Sequence, residues 1–443
     1  MSNLHTKPTL VDKSQSLGMR LITRVGGLEA MKNPSLRSKV EKALYRGSRQ
    51  GFKAQTAAGR AFQRTSGAGT ATRNTPVKPK REFDLTPTED QEMIRQAARE
   101  LAEEVLRPAG AEADTSRSVP ESVRESAAQL GMTLLGVPAD LGGVAEEASA
   151  VTGVLVMEEL ARGDMGLAVA IMSSAAVANA LVNYGDSDQQ ATFLPPFTDE
   201  SSPATGALAL MEPQPLFDPA TPATTGQVEG QELVLSGEKA LVPGADSADL
   251  FIVSATIDGV PRLVIVAPGT PGLSVSDDPA MGVRAANTGA LHLEDVRVPV
   301  SNLLGTADDH RDVVARARLA WSAAAVGTAQ AVLDHVTIYT KERTAFGEPI
   351  AYRQAVAFAV ANIAIELEGL RLVVWRAAAR LDAGRDAGAQ IAHARALTAK
   401  YAAQIGSDGV QLLGGHGFVK EFDNERWYRD LRGAGLFEGA LLV

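Results

Sequence analysis

Cysteine is absent from all 443 residues. That excludes a disulfide framework, a thiolate nucleophile and any zinc or iron–sulfur centre built on thiolate ligands. Histidine is scarce, with six scattered copies and no His-Glu-x-x-His spacing, so the chain offers little to hold a catalytic metal, and none is expected. Redox chemistry in such a chain needs a borrowed cofactor. No apolar run approaches the roughly 20 residues that span a bilayer, which predicts a soluble or peripheral, cytoplasmic protein.

What is present is a chain with 45% hydrophobic residues, long enough to divide into two or three domains and to enclose a large cleft. Its net charge of −10 hides an asymmetry. Residues 1 to 82 hold 17 of the 43 basic side chains and only 4 of the 53 acidic ones, a surplus of 13 positive charges against a deficit of 23 in the remainder. Such a split predicts a basic arm on an acidic body, drawn to an anionic surface that is either a membrane, a partner or the protein's own face. Within the arm, Ser35 to Tyr45 places Leu36, Val40 and Leu44 on one side of a basic helix. Thr65 to Lys80 reads as a linker. The arm's Arg and Ser content also suits an organelle presequence, although its length, Glu29 and Glu41 do not.

The texture changes at Leu85. Thr86 or Thr88 can cap a helix, and Met93, Ile94, Ala97, Ala98, Leu101, Ala102 and Val105 follow at helical spacing. Helices are expected to about residue 195, giving a helical domain over 83–198. Short apolar runs at Leu233–Leu235, Leu250–Ala255, Leu263–Val266 and Leu291–Val298, separated by Gly, Pro and Asp, predict a β domain over 199–306. Ala-rich amphipathic stretches at Val313–Thr340, Tyr352–Ala383 and Ala387–Leu413, with a shorter final helix, predict a four-helix bundle over 307–443. The fold class is therefore α+β and mainly α.

Several patterns then occur in order: Pro138 to Gly143, Glu158-Glu159-Leu160-Ala161-Arg162, Asp295-Val296-Arg297-Val298-Pro299, Arg343-Thr344-Ala345-Phe346-Gly347, Gln411-Leu412-Leu413-Gly414-Gly415-His416-Gly417-Phe418, and Tyr428-Arg429-Asp430. Each alone is weak, since glycine-rich turns are common. Collinear over residues 83 to 443, they resemble the acyl-CoA dehydrogenase family. That resemblance implies FAD held between two subunits of a homo-oligomer, a dimer of dimers. Arg343 and Phe346 would meet the neighbour's dinucleotide, with Gln354 beyond them. Gln411, Gly414 and Gly415 would let the backbone approach the nucleotide, which a residue without Cβ permits. An acyl-CoA is the implied substrate, and an electron-transfer flavoprotein the implied oxidant.

In the family a Glu in a Tyr-Glu-Gly-Thr turn is the catalytic base, and the matching residues here are Phe437-Glu438-Gly439-Ala440. Glu438 is accordingly the candidate base, with Gly439 beside cofactor and substrate and Arg318 nearby. A Glu-Gly pair by itself reads as a glycine-capped helix end, and Arg318 alone as a surface charge. Some relatives carry the base on the first bundle helix, before an Arg-Leu pair; here Ala317 stands there, so no carboxylate competes. The flavin-ring motifs depart from the pattern. Met211-Glu212-Pro213-Gln214-Pro215-Leu216-Phe217-Asp218 replaces Thr-Glu-Pro-x-Ala-Gly-Ser-Asp, and Lys239-Ala240-Leu241-Val242-Pro243 replaces Lys-x-Trp-Ile-Thr. Met211, Phe217, Leu241 and Pro243 would then face the ring with backbone groups and apolar surface in place of hydroxyls. These departures leave two alternatives open: a non-catalytic or acyl-binding subunit of a mixed oligomer, and an oxidase or monooxygenase of the same fold.

Overall fold

The computed structural model describes residues 85–143, 148–199 and 202–443. The readings made on residues 1 to 82 lie outside the described residues. Thr88 opens α1 (Glu89–Leu101): its hydroxyl accepts the Gln91 N–H, and the Gln91 side chain accepts the Thr88 N–H. This reciprocal cap satisfies two donors that a first turn otherwise leaves open. Ala98 and Leu101 are buried as the spacing requires, whereas Met93 is 68% exposed at the edge of the stripe. A π turn, Ala102–Leu106, leads into α2 (Arg107–Ser116), followed by α3 (Glu121–Gln129), α4 (Ala150–Gly163), α5 (Met165–Tyr184) and α6 (Ser187–Phe193).

The helix α5 corrects one expectation. It is long and apolar enough, by length and composition, to cross a membrane, because Ser173, Ser174 and Asn179 interrupt its apolar run without lowering its mean hydropathy much. Its most apolar window is 83% buried inside the protein, as suits a core helix that is apolar all round.

Eight strands form one mixed sheet: β1 (Gly206–Ala209), β2 (Thr225–Glu229), β3 (Glu232–Pro243), β4 (Leu250–Ile257), β5 (Val260–Val266), β6 (Leu273–Asp277), β7 (Thr288–Pro299) and β8 (Leu303–Leu304). Their order is β6-β7-β3-β2-β4-β5-β8, with β1 parallel to β4. Leu233, Leu235, Val253, Leu291 and Val296 belong to its buried core. The β3–β7 pairing is interrupted twice, and the second irregularity, between Lys239 and Val242, places Leu241 at φ +49°. A non-glycine residue in that region is uncommon, and bulges of this kind re-aim side chains beside functional sites.

Four helices complete the chain. Thr306 and Asp309 cap α7 (Ala307–Glu342), a 36-residue rod about 54 Å long. A two-stranded hairpin, β9 (Thr344–Ala345) and β10 (Glu348–Pro349), leads to α8 (Gln354–Asp382), α9 (Gly388–Leu413) and α10 (Asn424–Ala434). Gly327 lets α7 lie against α4, since a Cβ there would sit 1.9 Å from the Glu158 carbonyl oxygen. Asp382, at the end of α8, accepts the N–H groups of Ala150 and Val151 at 2.7 and 3.2 Å. It thereby ties the bundle to the start of α4, where a carboxylate is favoured. From α10, Asp430 accepts the Val283 N–H of the β domain at 2.5 Å.

Candidate active site

After α10 the chain makes a turn held by three elements. The Phe437 ring stacks on Trp321 of α7, with centroids 4.7 Å apart and planes 20° from parallel. The Trp321 indole N–H donates to the Gly439 carbonyl at 2.7 Å, and Trp321 is wholly buried. From β1, the Leu208 carbonyl accepts the Ala440 N–H at 3.1 Å. Gly439 is required on two counts: its φ is +77°, and a Cβ would lie 2.7 Å from the Leu210 side chain.

This turn presents Glu438 to two arginines. Arg318 of α7 forks onto the carboxylate, its Nε donating to Oε1 and Oε2 at 3.2 and 2.9 Å and its Nη2 to Oε1 at 3.0 Å. Arg395 of α9 adds an Nη2 bond to Oε1 at 3.1 Å. It also donates to the Ala434 and Phe437 carbonyls at 2.8 and 2.7 Å. The Glu438 side chain is 9% exposed, Arg395 14% and Arg318 31%. Burial, joined by the Arg318 charge, pulls Arg395 below its ordinary value, while Glu438 opposes the shift. The carboxylate is thus withdrawn from water but charge-compensated, not isolated in an apolar pocket. Ala317, one residue before Arg318, is fully buried.

Next to the turn stands the wall formed by the departing motifs. Leu210 touches Gly439, and the following Met211 accepts the Ala240 N–H at 2.9 Å. Beneath them Lys239 and Glu212, 0% and 1% exposed, form an ion pair with Nζ–Oε1 at 2.7 Å. Glu212 also accepts the N–H groups of Ala223 and Thr224. Burial pushes Lys239 down to about 8 against the pull of Glu212. For Glu212 burial acts upward, but the Lys239 charge and the Thr224 hydrogen bond outweigh it and hold the carboxyl below its usual value. The Leu241 N–H is committed to Asp278 Oδ2 at 2.8 Å. Pro243 is buried and has no N–H to give. Phe217 and Leu241 are half-buried. Behind the wall, Ser254 Oγ lies 2.8 Å from His310 Nε2. Burial and the nearby Lys239 push His310 down to about 4, and its Nδ1 has no partner among the described residues.

The remaining predicted residues gather elsewhere, at the far end of α7. Arg343 follows the helix, exposed and with no partner for its guanidinium among the described residues. Phe346 is 95% exposed at φ +56°, with the Arg353 guanidinium 5.6 Å over its ring. Gln354 and Gln411 are exposed, and Gly414 and Gly415 face open space, Gly414 with φ +60° and ψ −133°. Arg318 and Arg343 are 25 positions apart on the same rod, about 37 Å. The structure therefore joins Glu438, Gly439 and Arg318 to the wall at Leu210 and Met211, and leaves Arg343, Phe346, Gln354, Gln411, Gly414 and Gly415 as a second surface.

Reading by motif missed four contributors. Trp321 had a signal, being three positions after Arg318 and so on the same helix face. Glu212 and Lys239 lie inside the departing motifs, but their mutual contact needed the fold. Arg395 had none.

Three family models match the chain in succession: the acyl-CoA dehydrogenase N-terminal domain over residues 88–201, the middle domain over 207–296 and the C-terminal domain over 311–441. The short-chain specific acyl-CoA dehydrogenase, mitochondrial, of Bos taurus is 32% identical over 363 residues, covering 79% of this chain and 87% of the relative. Among solved structures, butyryl-CoA dehydrogenase from Megasphaera elsdenii superposes with a TM-score of 0.74 at 26% identity, over 81% of this chain and 96% of that one. PigA, solved with FAD and proline, gives the same TM-score, identity and coverage. With three successive domain matches and a relative of this similarity, the chain belongs to the FAD-dependent acyl-CoA dehydrogenase family of oxidoreductases.

Proposed function

We propose that the protein catalyses α,β-dehydrogenation of an acyl-CoA thioester to the trans-2-enoyl-CoA, with Glu438 as the base. The observation that carries this reading is the position of Glu438. Its nearly buried carboxylate sits on a turn whose next residue, Gly439, packs against Leu210, directly before the Met211 wall. A weakly acidic α-proton calls for a carboxylate withdrawn from water and held in one geometry. Arg318, the more exposed of the two arginines, stands on the side from which a thioester can approach. FAD, when bound, accepts the hydride equivalent from the β-carbon.

The residues available fit that cofactor in two separate sets. The exposed guanidinium of Arg343 suits a diphosphate, and open backbone at Gly414 and Gly415 suits close approach of a nucleotide. The wall offers apolar faces at Phe217 and Leu241 and no side-chain hydroxyl. Because the two sets are about 37 Å apart along one rod, one dinucleotide reaches both only if a second copy supplies the far set. An exposed stripe on α8, Phe358, Ile365 and Leu372 at intervals of seven, gives such a copy an apolar face to cover. A homo-oligomer, a dimer of dimers by family likeness, is proposed on these grounds, with an electron-transfer flavoprotein as oxidant.

The test is Glu438→Gln. Expected is a yellow protein that still binds acyl-CoA but reduces its flavin without oxygen roughly 10²–10⁴-fold more slowly. Reduction at the parental rate would assign the proton to another group. The commitment of the Leu241 N–H and the lack of one at Pro243 favour a second reading, an acyl-binding subunit without its own flavin chemistry. A colourless purified protein would select it.

A further inference from the structure

We infer that Arg395, which no motif marks, is the positioning residue of the Glu438 carboxylate; this rests on the reading of Glu438 as base. Arg395 spends its donors on three acceptors within five residues: the Ala434 carbonyl at the end of α10, the Phe437 carbonyl and Glu438 Oε1. One planar fork thus fixes the last turn of the helix, the backbone just before the base and the carboxylate itself. The rigid geometry of guanidinium suits it to this more than an ammonium would. One turn further along α9, Ala399 lies where a Cβ on Gly435 would come within 2.5 Å. The helix is therefore seated against the turn at two successive levels.

The two arginines divide the carboxylate oxygens unequally. Oε1 accepts from both, through Arg318 Nε and Nη2 and Arg395 Nη2. Among the described residues Oε2 accepts from Arg318 Nε alone. Oε1 is the anchored oxygen, and Oε2 keeps the free lone pair for the α-proton. Arg395 approaches from the interior and Arg318 from the more open side. Displacement of Arg318 by an incoming thioester would still leave Oε1 held.

The test compares anaerobic flavin reduction by acyl-CoA in Arg395→Gln, Arg395→Lys and Glu438→Gln, alongside the acyl-CoA Kd read from the flavin absorption shift. Expected for Arg395→Gln is a fall of about 100-fold in the reduction rate, the scale of a small misplacement of a reacting group, with Kd unchanged within about twofold. Arg395→Lys, which keeps the charge but reaches fewer acceptors, should fall between the two. A rate for Arg395→Gln within about threefold of the parent, with Glu438→Gln inactive, would overturn the role of Arg395 and leave the base in place. Equal losses in both Arg395 variants together with lost acyl-CoA binding would show a structural role only, and also overturn it. If Glu438→Gln is fully active, the base reading fails and this inference with it. Should Arg395→Gln show no cooperative unfolding, Arg395→Lys decides alone: an intermediate rate supports the role and a parental rate removes it.

Discussion

The turn that carries Glu438 and the wall of Met211, Phe217, Leu241 and Pro243 touch at Gly439 and Leu210, but they are built by opposite means. In the turn, side chains from α7 and α9 make the contacts that set the Glu438 carboxylate: two arginine forks, an indole N–H and a stacked ring pair. In the wall, the surface itself is backbone and hydrocarbon, and it is ordered from underneath by a buried ion pair together with the backbone N–H groups that Glu212 and Asp278 accept. The difference shows how a site can lose its hydroxyls on one side and stay specified on the other. In stability, redundant contacts tolerate single losses, whereas a buried pair does not.

The largest effect is expected at the buried ion pair, where losing one partner strands the other's charge. Glu212→Gln leaves Lys239 buried beside a neutral amide and should cost about 3 kcal/mol of stability, measured by chemical denaturation, with earlier release of FAD. A cost below about 1 kcal/mol would show that the wall has other supports. The next effect is one of acidity. His310 stands behind the wall with its folded value near 4, below that of an unfolded chain. Between those values the unfolded state binds the extra proton, so stability present above about pH 6.5 is lost as the pH falls toward 4. Going from pH 7.5 to 5 should remove about 2 kcal/mol through this group. The reading is the difference between the parent and His310→Gln, whose curve should be flatter by that amount; parallel curves would clear His310 of the role. The smallest effect is expected in the turn. Trp321→Phe keeps an aromatic ring but removes the bond to the Gly439 carbonyl, at about 1.5 kcal/mol. A loss as large as that of Glu212→Gln would erase the contrast between the two regions.

Much of this arrangement was legible in the chain itself. The β runs, the three long helices and the Thr88 cap follow from local periodicity and capping, which depend on residues a few positions apart. The Glu438–Arg318 pair was legible only through family likeness, because 120 residues separate the partners. Arg395 was invisible for a related reason: nothing in Ala-rich α9 distinguishes a cation that turns inward from one that faces water. Leu241 carried no glycine to announce its positive φ, so the bulge that re-aims it appears only in the pairing with β7. The apolar character of α5 is hidden in the sequence because Ser173, Ser174 and Asn179 break its apolar run. Pro243 could be identified as a lost donor from its letter alone, but the commitment of the Leu241 N–H to Asp278 could not.

A continuous α7 also limits how this protein can change over generations. The rod bears Arg318 and Trp321 toward one end and delivers Arg343 at the other, so the spacing and the facing of both groups are locked to one count of residues. Inserting a single residue between them would swing the far end by about 100° and lift it about 1.5 Å. Two full turns, seven residues, nearly restore the facing but lengthen the rod by about 10 Å. On the proposed function, drift in substrate preference is free to act on side chains along the helix, while the helix length between Arg318 and Arg343 behaves as a fixed gauge.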